Sequence, residues 1–295
     1  MSTAAQIIDR TQRQLMSGTV EERNKLASSV SATATSLTFS YDLGGIRAGA
    51  MIQVDAEVMY VWEASPASKT VTVERAQNGT TAASHSSSDI VYVNPKFPRN
   101  QILEALNDEL ADLGSPMNGL FQVKTLDFTY NASRRQMNLQ VSGEMIDLID
   151  VRYRYIATDY KTVNNVKLMR NMPTKDFASG YALQIDSIIP SSEVRVTYKA
   201  PFTKINHEFD DLQSICGYPE TAEDILVMGA QIRLVAPREV KRNFSESQGD
   251  TRRAEEVPNG AIANSVINMI RMRRDRITAE AARLARQYPT YLNRL

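Results

Sequence analysis

Residues 55–93 restrict the fold of this chain most, because their side chains alternate at the two-residue period of a β-strand. Val58, Tyr60 and Trp62 alternate with other residues, and the same period returns over 70–74 after a turn-like run. This pattern predicts a β-hairpin. Asn78 then supplies a residue able to adopt positive φ, and an apolar run before residue 94 predicts a third strand.

A second region of strand pattern lies between residues 120 and 200, where short alternating segments are separated by turn residues. The segments cover 121–123, 126–130, 137–141, 146–155, 167–169, 181–185 and 194–198. About seven short strands predict an antiparallel β-sandwich or barrel. Charged residues within 150–155 indicate that one face of a sheet is solvated or meets a partner.

Helical spacing of apolar residues flanks both strand regions. Helices are predicted over 2–16, 99–113, 221–237 and 261–288. Thr3 is a possible N-cap of the first helix, Gly114 stands where a left-handed cap would end the second, and 221–224 is a capping-box sequence. Gly229 would allow another helix to approach the third helix closely, and Pro237 would end it.

These patterns predict an α+β fold in which a small N-terminal β module and a larger antiparallel β-sandwich or barrel domain are inserted among helices. Pro289 would end the long last helix, and Tyr291, Leu292 and Leu295 beyond it are unusual for a frayed terminus. The predicted division is an N-terminal helix and lead-in over 1–34, the small β module over 35–97, a core helix over 98–119, the β domain over 120–205, a C-terminal helical part over 206–288 and an extended tail over 289–295.

Charge and cysteine content exclude several classes of protein. Lys+Arg and Asp+Glu both number 34, so no bulk affinity for nucleic acid or anionic membrane is expected. Residues 233–295 differ, because 13 basic residues against 7 acidic ones leave a local excess of six. The single cysteine, Cys216, excludes an intrachain disulfide, fits a reducing cytoplasm and is predicted to be a core residue. No run of about 18 apolar residues occurs, so no membrane span is expected.

No group of residues in the sequence has the spacing of an enzyme site. His85 and His207 are the two histidines, and neither has a second histidine or a cysteine at metal-ligand spacing. Phosphate-loop, dinucleotide-binding and nucleophile-elbow motifs do not occur. Asp147, Asp150 and Asp186 lack the dense spacing of a calcium loop. We therefore expect no catalytic residue, no cofactor and no metal ligand.

A basic cluster lies within the last predicted helix, on two adjacent stripes of its surface. Its members are Arg271, Arg273, Arg274 and Arg276. One hypothesis is that this patch contacts an acidic partner surface or DNA phosphates. The alternative is a solvated helix face with ion pairs to Asp275 and Glu280. Aromatic residues do not interleave the arginines, which disfavours single-strand binding.

Two parts of the chain resemble virion proteins of tailed bacteriophages. The hairpin region resembles a small β module of such proteins over 57–59, 72–75 (TVER) and 78–85 (NGTTAASH), although Ala76 stands where that pattern usually has glycine. The C-terminal third resembles head-to-tail connector adaptors of long-tailed phages of actinobacterial type. Its matching motifs are 222–226, 237–239, 248–258 and 283–289. The two resemblances cover roughly half of the chain.

The resemblance to adaptors implies a structural role in the virion neck. Such adaptors form a ring, commonly twelve-fold, that binds under the portal protein and joins it to a stopper or tail protein. Genomic DNA passes through the lumen without sequence-specific binding, and assembly takes place in the host cytoplasm. Adaptors of this kind have a helical core and insert a C-terminal segment into the portal. The implied portal-contact residues are Gln287, Tyr288, Tyr291, Leu292, Arg294 and Leu295.

Two other functions are compatible with the sequence. A tail-tip or baseplate protein could use the β domain to bind a receptor or glycan, which would require exposed aromatic residues grouped on one β face. The candidate residues for that group are Tyr153, Tyr155, Tyr160 and Tyr181. An enzyme that cleaves the host cell wall is the third possibility, and it lacks the constellation that such chemistry requires.

Overall fold

The computed structural model describes residues 2–16, 21–246 and 261–290. Within these residues it contains four α-helices and mostly antiparallel sheets, which confirms the α+β class. The helices are α1 (Ala4–Met16), α2 (Arg99–Leu113), α3 (Glu223–Glu246) and α4 (Ala261–Gln287), and a 3₁₀ turn at Glu220–Ala222 precedes α3. The two strand regions lie between α1 and α2 and between α2 and α3.

The first strand region forms one six-stranded antiparallel sheet in the order β1-β6-β3-β4-β5-β2. Its strands are β1 (Arg23–Lys25), β2 (Ser36–Thr38), β3 (Met51–Val54), β4 (Glu57–Ser65), β5 (Thr70–Gln77) and β6 (Ile90–Val93). Strands β4 and β5 are the predicted hairpin, and β6 is the predicted third strand. Because β1 pairs with β6, this sheet begins before residue 35, where the sequence placed the start of the module.

The six-stranded sheet curls around its own core until its two edges meet. Leu26, which follows β1, forms a bridge with Phe39, which follows β2. The amide of Ala27 donates to the carbonyl of Thr38 at 2.8 Å, and the amide of Ser40 donates to the carbonyl of Lys25 at 2.9 Å. These bonds satisfy backbone groups at edges that would otherwise be open to pairing with other chains.

The second strand region forms two antiparallel sheets that share one apolar core. The strands are β7 (Gln122–Thr129), β8 (Gln136–Asn138), β9 (Asp147–Ile156), β10 (Asp159–Thr162), β11 (Val166–Met169), β12 (Ala182–Ile185) and β13 (Glu193–Ala200). One sheet has the order β10-β9-β13-β7 and the other β11-β12-β8. The segments predicted at 121–123 and 126–130 are one strand, and β10 was missed because its mostly exposed residues give no apolar alternation.

The helices, with residues 202–222, build a separate apolar core. Ile102, Leu106 and Leu110 of α2 are buried there, as the predicted apolar face required. Cys216 is fully buried in this core, which confirms its prediction as a core residue. Burial raises the pKa of its thiol to about 11, so the thiolate is disfavoured at neutral pH. Tyr218 is also fully buried, and its hydroxyl donates to the carbonyl of Ala222 at 2.8 Å.

Arg99, at the start of α2, attaches the first sheet to the helices. Its guanidinium forms a buried ion pair with Glu208 at 2.9 Å and a second pair with Asp9 of α1. Its backbone amide donates to the side chain of Gln53 in β3 at 3.1 Å. One residue therefore ties β3, α1 and the segment before α3 together.

The helix ends agree only in part with the prediction. Thr3 caps α1, because the amide of Gln6 lies 3.4 Å from its hydroxyl and its own amide donates to the Gln6 side chain at 3.1 Å. Gly114 is right-handed, with φ −72°, so the predicted left-handed cap is wrong. A Cβ at Gly114 would lie 3.1 Å from the amide nitrogen of Phe202, so close packing is the reason for glycine here.

The start and end of α3 also differ from the prediction. Thr221 lies in the 3₁₀ turn, and its hydroxyl contacts Glu280 of α4 at 3.3 Å instead of capping α3. The helix continues through Pro237 to Glu246, so the predicted end near Pro237 is wrong. Proline removes one backbone hydrogen bond from a helix interior, which bends or weakens the helix but does not always end it.

Gly229 brings α3 close to α2, as its sequence position suggested. A Cβ built on Gly229 would lie 1.9 Å from the carboxyl carbon of Glu109. That carboxylate is 1% exposed and is held by Arg233 and Arg273, so it cannot simply move aside. Glycine is therefore required at this point of the α2–α3 contact.

The substitution Gly229→Ala is expected to lower the free energy of unfolding by about 1–3 kcal/mol, because the new methyl group overlaps the Glu109 carboxylate. Chemical denaturation of both variants measures this change. In a Glu109→Ala background the same substitution should be neutral or stabilising, since alanine is the better helix former. Equal destabilisation in both backgrounds would contradict this account of Gly229.

Candidate functional site

A buried carboxylate on α2 holds helix α4 in place. Glu109 is 1% exposed, and Nε of Arg273 donates to its Oε1 at 2.6 Å. Nε of Arg233 on α3 donates to the other carboxylate oxygen at 3.1 Å. Arg273 also pairs with Asp112, one helical turn after Glu109. Three helices thus meet at one carboxylate.

Helix α4 contains five of the ten predicted site residues. They are Arg271, Arg273, Arg274, Arg276 and Gln287.

The electrostatics of Glu109 follow from its burial. Burial raises the pKa of this carboxyl group, and the hydrogen bonds and charges of Arg273 and Arg233 counter only part of that rise. A buried carboxylate without its arginine partners would be strongly destabilising. Glu109 therefore acts as a structural anchor for α4, and the position of the α4 surface depends on it.

The structure divides the four arginines of the predicted basic patch into two pairs. Arg273 is bound to α2, and Arg276 donates to both carboxylate oxygens of Asp224 on α3, at 2.6 and 3.0 Å. Arg271 and Arg274 are exposed. The carboxylates that bind Arg273 and Arg276 therefore lie on α2 and α3. Glu280, which the sequence offered as a partner for the cluster, pairs with Arg283.

Exposed apolar side chains lie beside the two exposed arginines. Ile267, Ile270 and Met272 are 45%, 46% and 60% exposed, although they belong to the same helix as the buried Ile277 and Leu284. The second half of α4 therefore packs on the helical core, while much of its first half carries apolar and basic side chains to the surface. A surface of this composition is suited to contact with another protein.

The predicted portal-contact residues begin at the end of α4. Gln287 is exposed and accepts a hydrogen bond from Arg283 at 2.8 Å. Tyr288 is half-buried and packs against the helical core. The other predicted contact residues, Tyr291, Leu292, Arg294 and Leu295, lie outside the described residues.

The phage-like signature of the first strand region forms a second buried polar cluster, centred on Glu57. This carboxylate is 1% exposed and receives two hydrogen bonds from Arg75, at 2.7 and 2.6 Å. Nε2 of His85 lies 2.9 Å from it, and the amides of Ala76 and Ala83 donate to it at 3.2 and 3.0 Å. The three segments of the phage-like pattern thus meet at one carboxylate.

The protonation of this cluster follows from its contacts. Burial alone would raise the pKa of Glu57, but the hydrogen bonds from Arg75, His85 and two amides hold it at about 2. Burial alone would lower the pKa of His85, but Asp55 and Glu57 raise it to about 9. At neutral pH the cluster therefore contains an ionised Glu57 beside a protonated His85.

Asp55 and Asp89 complete the surroundings of His85. Asp55 Oδ2 lies 3.2 Å from Nδ1 of His85, and one ligand atom from each of Asp55, His85 and Asp89 lies within 4.8 Å of the others. Local spacing did not reveal this group, because it joins a turn between β3 and β4 to the loop before β6. The only sequence signal was the recurrence of acidic residues near both ends of the hairpin region.

The four tyrosines named for a glycan site do not form one platform. Tyr153 and Tyr181 pack against the core of the β domain. Tyr160 lies opposite Arg154 in the β9–β10 pair, so it is on the other face of the sheet from Tyr153 and Tyr155. Tyr155 is 47% exposed, and the ammonium group of Lys161 lies 3.4 Å from the centre of its ring.

Comparison with protein-family models and with curated proteins matches this chain to none of them. Among the described residues, no helix is both long enough and apolar enough to cross a membrane.

The backbone conformation of residue 76 explains why the phage-like pattern usually has glycine where this chain has Ala76. Its φ is +56°, in the left-handed region that favours glycine, while its amide donates to Glu57. The substitution Ala76→Gly is expected to raise the free energy of unfolding by about 1 kcal/mol, because glycine adopts this conformation without strain. Urea denaturation measures the change. Ala82→Gly is the control, since Ala82 has no positive φ, and an equal gain there would contradict this explanation.

The Glu57 cluster predicts a stability maximum between about pH 4.5 and 6.5. Glu57 stabilises the fold above its ordinary pKa of 4.5, and this contribution is lost as the pH falls towards 2. His85 stabilises it below its ordinary pKa of 6.5, and this contribution is lost as the pH rises through about 9. The alkaline loss is on the order of 3 kcal/mol.

Thermal unfolding in EDTA, measured from pH 4 to 10, tests this dependence. We expect Tm to fall between pH 6.5 and 9 in the native chain and to fall much less in His85→Gln. His207→Gln is the matched control and should keep the native profile. A native Tm that is constant from pH 6.5 to 9 would show that His85 does not contribute as its contacts indicate.

Proposed function

We propose that this chain is a head-to-tail connector adaptor of a tailed bacteriophage. In this proposal it is a structural protein of the virion neck, forms a twelve-fold ring under the portal protein, and joins the portal to a stopper or tail protein. Genomic DNA passes through the lumen of the ring without sequence-specific binding. The protein is assembled into the virion in the host cytoplasm and is not an enzyme.

The observation that carries the proposal is the two-part surface of α4. Its second half is packed on the helical core, with Ile277 and Leu284 buried, whereas Ile267, Ile270 and Met272 of the first half are exposed. Exposed apolar residues of this kind suit a protein–protein interface better than a free surface. Repeated contacts of one surface with a different surface of the next copy would close a ring.

The arrangement of the chain supports the same proposal. Helices from three separate parts of the sequence share one core, and the two strand regions are inserted between them. Such an arrangement leaves a helical core for assembly and two β regions for contact with neighbours. Arg271 and Arg274 remain exposed and are available to DNA phosphates or to an acidic partner surface.

The alternative function is a tail-tip or baseplate protein whose β domain binds a receptor or glycan. The distribution of its four tyrosines over two faces gives this alternative less support than the exposed half of α4 gives the adaptor. Binding of the purified chain to a glycan array, together with its location at the tail tip, would favour the alternative.

The adaptor proposal predicts that the chain forms a complex with the portal ring of its phage. Size-exclusion chromatography with light scattering should show co-elution at a ring-sized stoichiometry, with each component alone as reference. Truncation after Thr290 should abolish the complex without changing the circular dichroism spectrum, because it leaves all described residues in place. An unchanged complex after truncation would overturn the role of the tail.

The exposed half of α4 is tested separately. The triple variant Ile267→Ser, Ile270→Ser and Met272→Ser should reduce assembly by at least tenfold while the monomer keeps its Tm, because these side chains are exposed. The control variant also carries three serine substitutions, at Met117, Ile188 and Phe209, which are 96%, 94% and 84% exposed. If the control impairs assembly as strongly as the α4 variant, the α4 surface is not the specific contact.

A further inference from the structure

Two carboxylates and one imidazole lie close together at one end of the first sheet, in the connections between its strands. Asp55 lies between β3 and β4, His85 in the loop between β5 and β6, and Asp89 directly before β6. Each presents one ligand atom within 4.8 Å of the other two. The distance between Asp55 Oδ2 and His85 Nδ1 is 3.2 Å. Ligands placed about 2.1 Å from a tetrahedral metal ion lie about 3.4 Å from one another.

The second nitrogen of His85 is already held in the way that metal-ligating histidines require. Nε2 lies 2.9 Å from Glu57, and Arg75 fixes that carboxylate with two hydrogen bonds. In metal sites the ligating histidine donates its other ring N–H to a carboxylate, a backbone carbonyl or water, which fixes the ring and increases its basicity. Glu57 would therefore orient Nδ1 of His85 towards Asp55 and Asp89.

The charges of the group also favour a divalent cation. Asp55, Glu57 and Asp89 supply three negative charges, and Arg75 supplies one positive charge. A metal ion that binds Nδ1 displaces the proton of that nitrogen into solvent, and with His85 neutral two negative charges remain. A divalent ion at Nδ1 of His85 would balance them.

We propose that Asp55, His85 and Asp89 bind one divalent transition-metal ion of the Zn²⁺ class. Nitrogen and carboxylate ligands are typical of this class, and water would occupy the remaining position. The ion would tie the β3–β4 turn to the loop before β6, so its role is to stabilise the module. This inference does not depend on the proposed function.

Isothermal titration calorimetry of the EDTA-treated, dialysed full chain with Zn²⁺ tests the proposal. We expect one ion per chain, and visible d–d absorption with Co²⁺ that indicates nitrogen and oxygen ligands. At about 100-fold excess over Kd, Tm should rise by about 4–5 °C. The variants Asp55→Asn and Asp89→Asn should each weaken binding about 10–100-fold.

His207→Gln is the matched control and should bind the ion as the native chain does, because His207 lies outside the group. Each variant is compared with its own metal-free Tm, so a loss of stability is not mistaken for a loss of binding. The proposal is overturned if Zn²⁺ does not bind, or if both aspartate variants bind it with native affinity. Loss of binding in His207→Gln would equally overturn it, since the ion would then lie elsewhere.

Discussion

The position of α4, and with it the candidate assembly surface, depends on the buried carboxylate of Glu109. Glu109 is 1% exposed and is shared by Arg233 of α3 and Arg273 of α4. A charge at such a depth is tolerated only with close partners, because removing one partner leaves an unpaired charge in a medium of low dielectric constant. Gly229 belongs to the same constraint, since it gives the carboxylate its space.

The first sheet also depends on a buried carboxylate, that of Glu57. Glu57 receives hydrogen bonds from Arg75, His85 and two backbone amides, and these contacts join β4, β5 and the loop that follows. The first sheet is thereby stabilised by this polar cluster as well as by its apolar core. In both parts of the chain, a buried carboxylate, Glu109 or Glu57, pairs with basic side chains from other segments of the sequence.

Local pattern was sufficient for most of the elements. The β4–β5 hairpin, the strand β6 and the helices α1 and α2 occur where alternation and helical spacing placed them. The strand β10 was missed, because exposed residues carry no apolar period. The end of α3 was misplaced because a proline was assumed to end the helix. The partners of Arg273 and Arg276 were not predicted, since these side chains pair with carboxylates on other helices.

The sequence by itself determined the class of the fold and the order of its elements, because hydrophobic period, capping residues and turn residues act over a few neighbouring positions. Only the tertiary structure decided which charges are partners. Glu109 and Arg273 are separated by 164 residues, and Glu57 and His85 by 28. Such pairs form through chain folding, which no local pattern encodes.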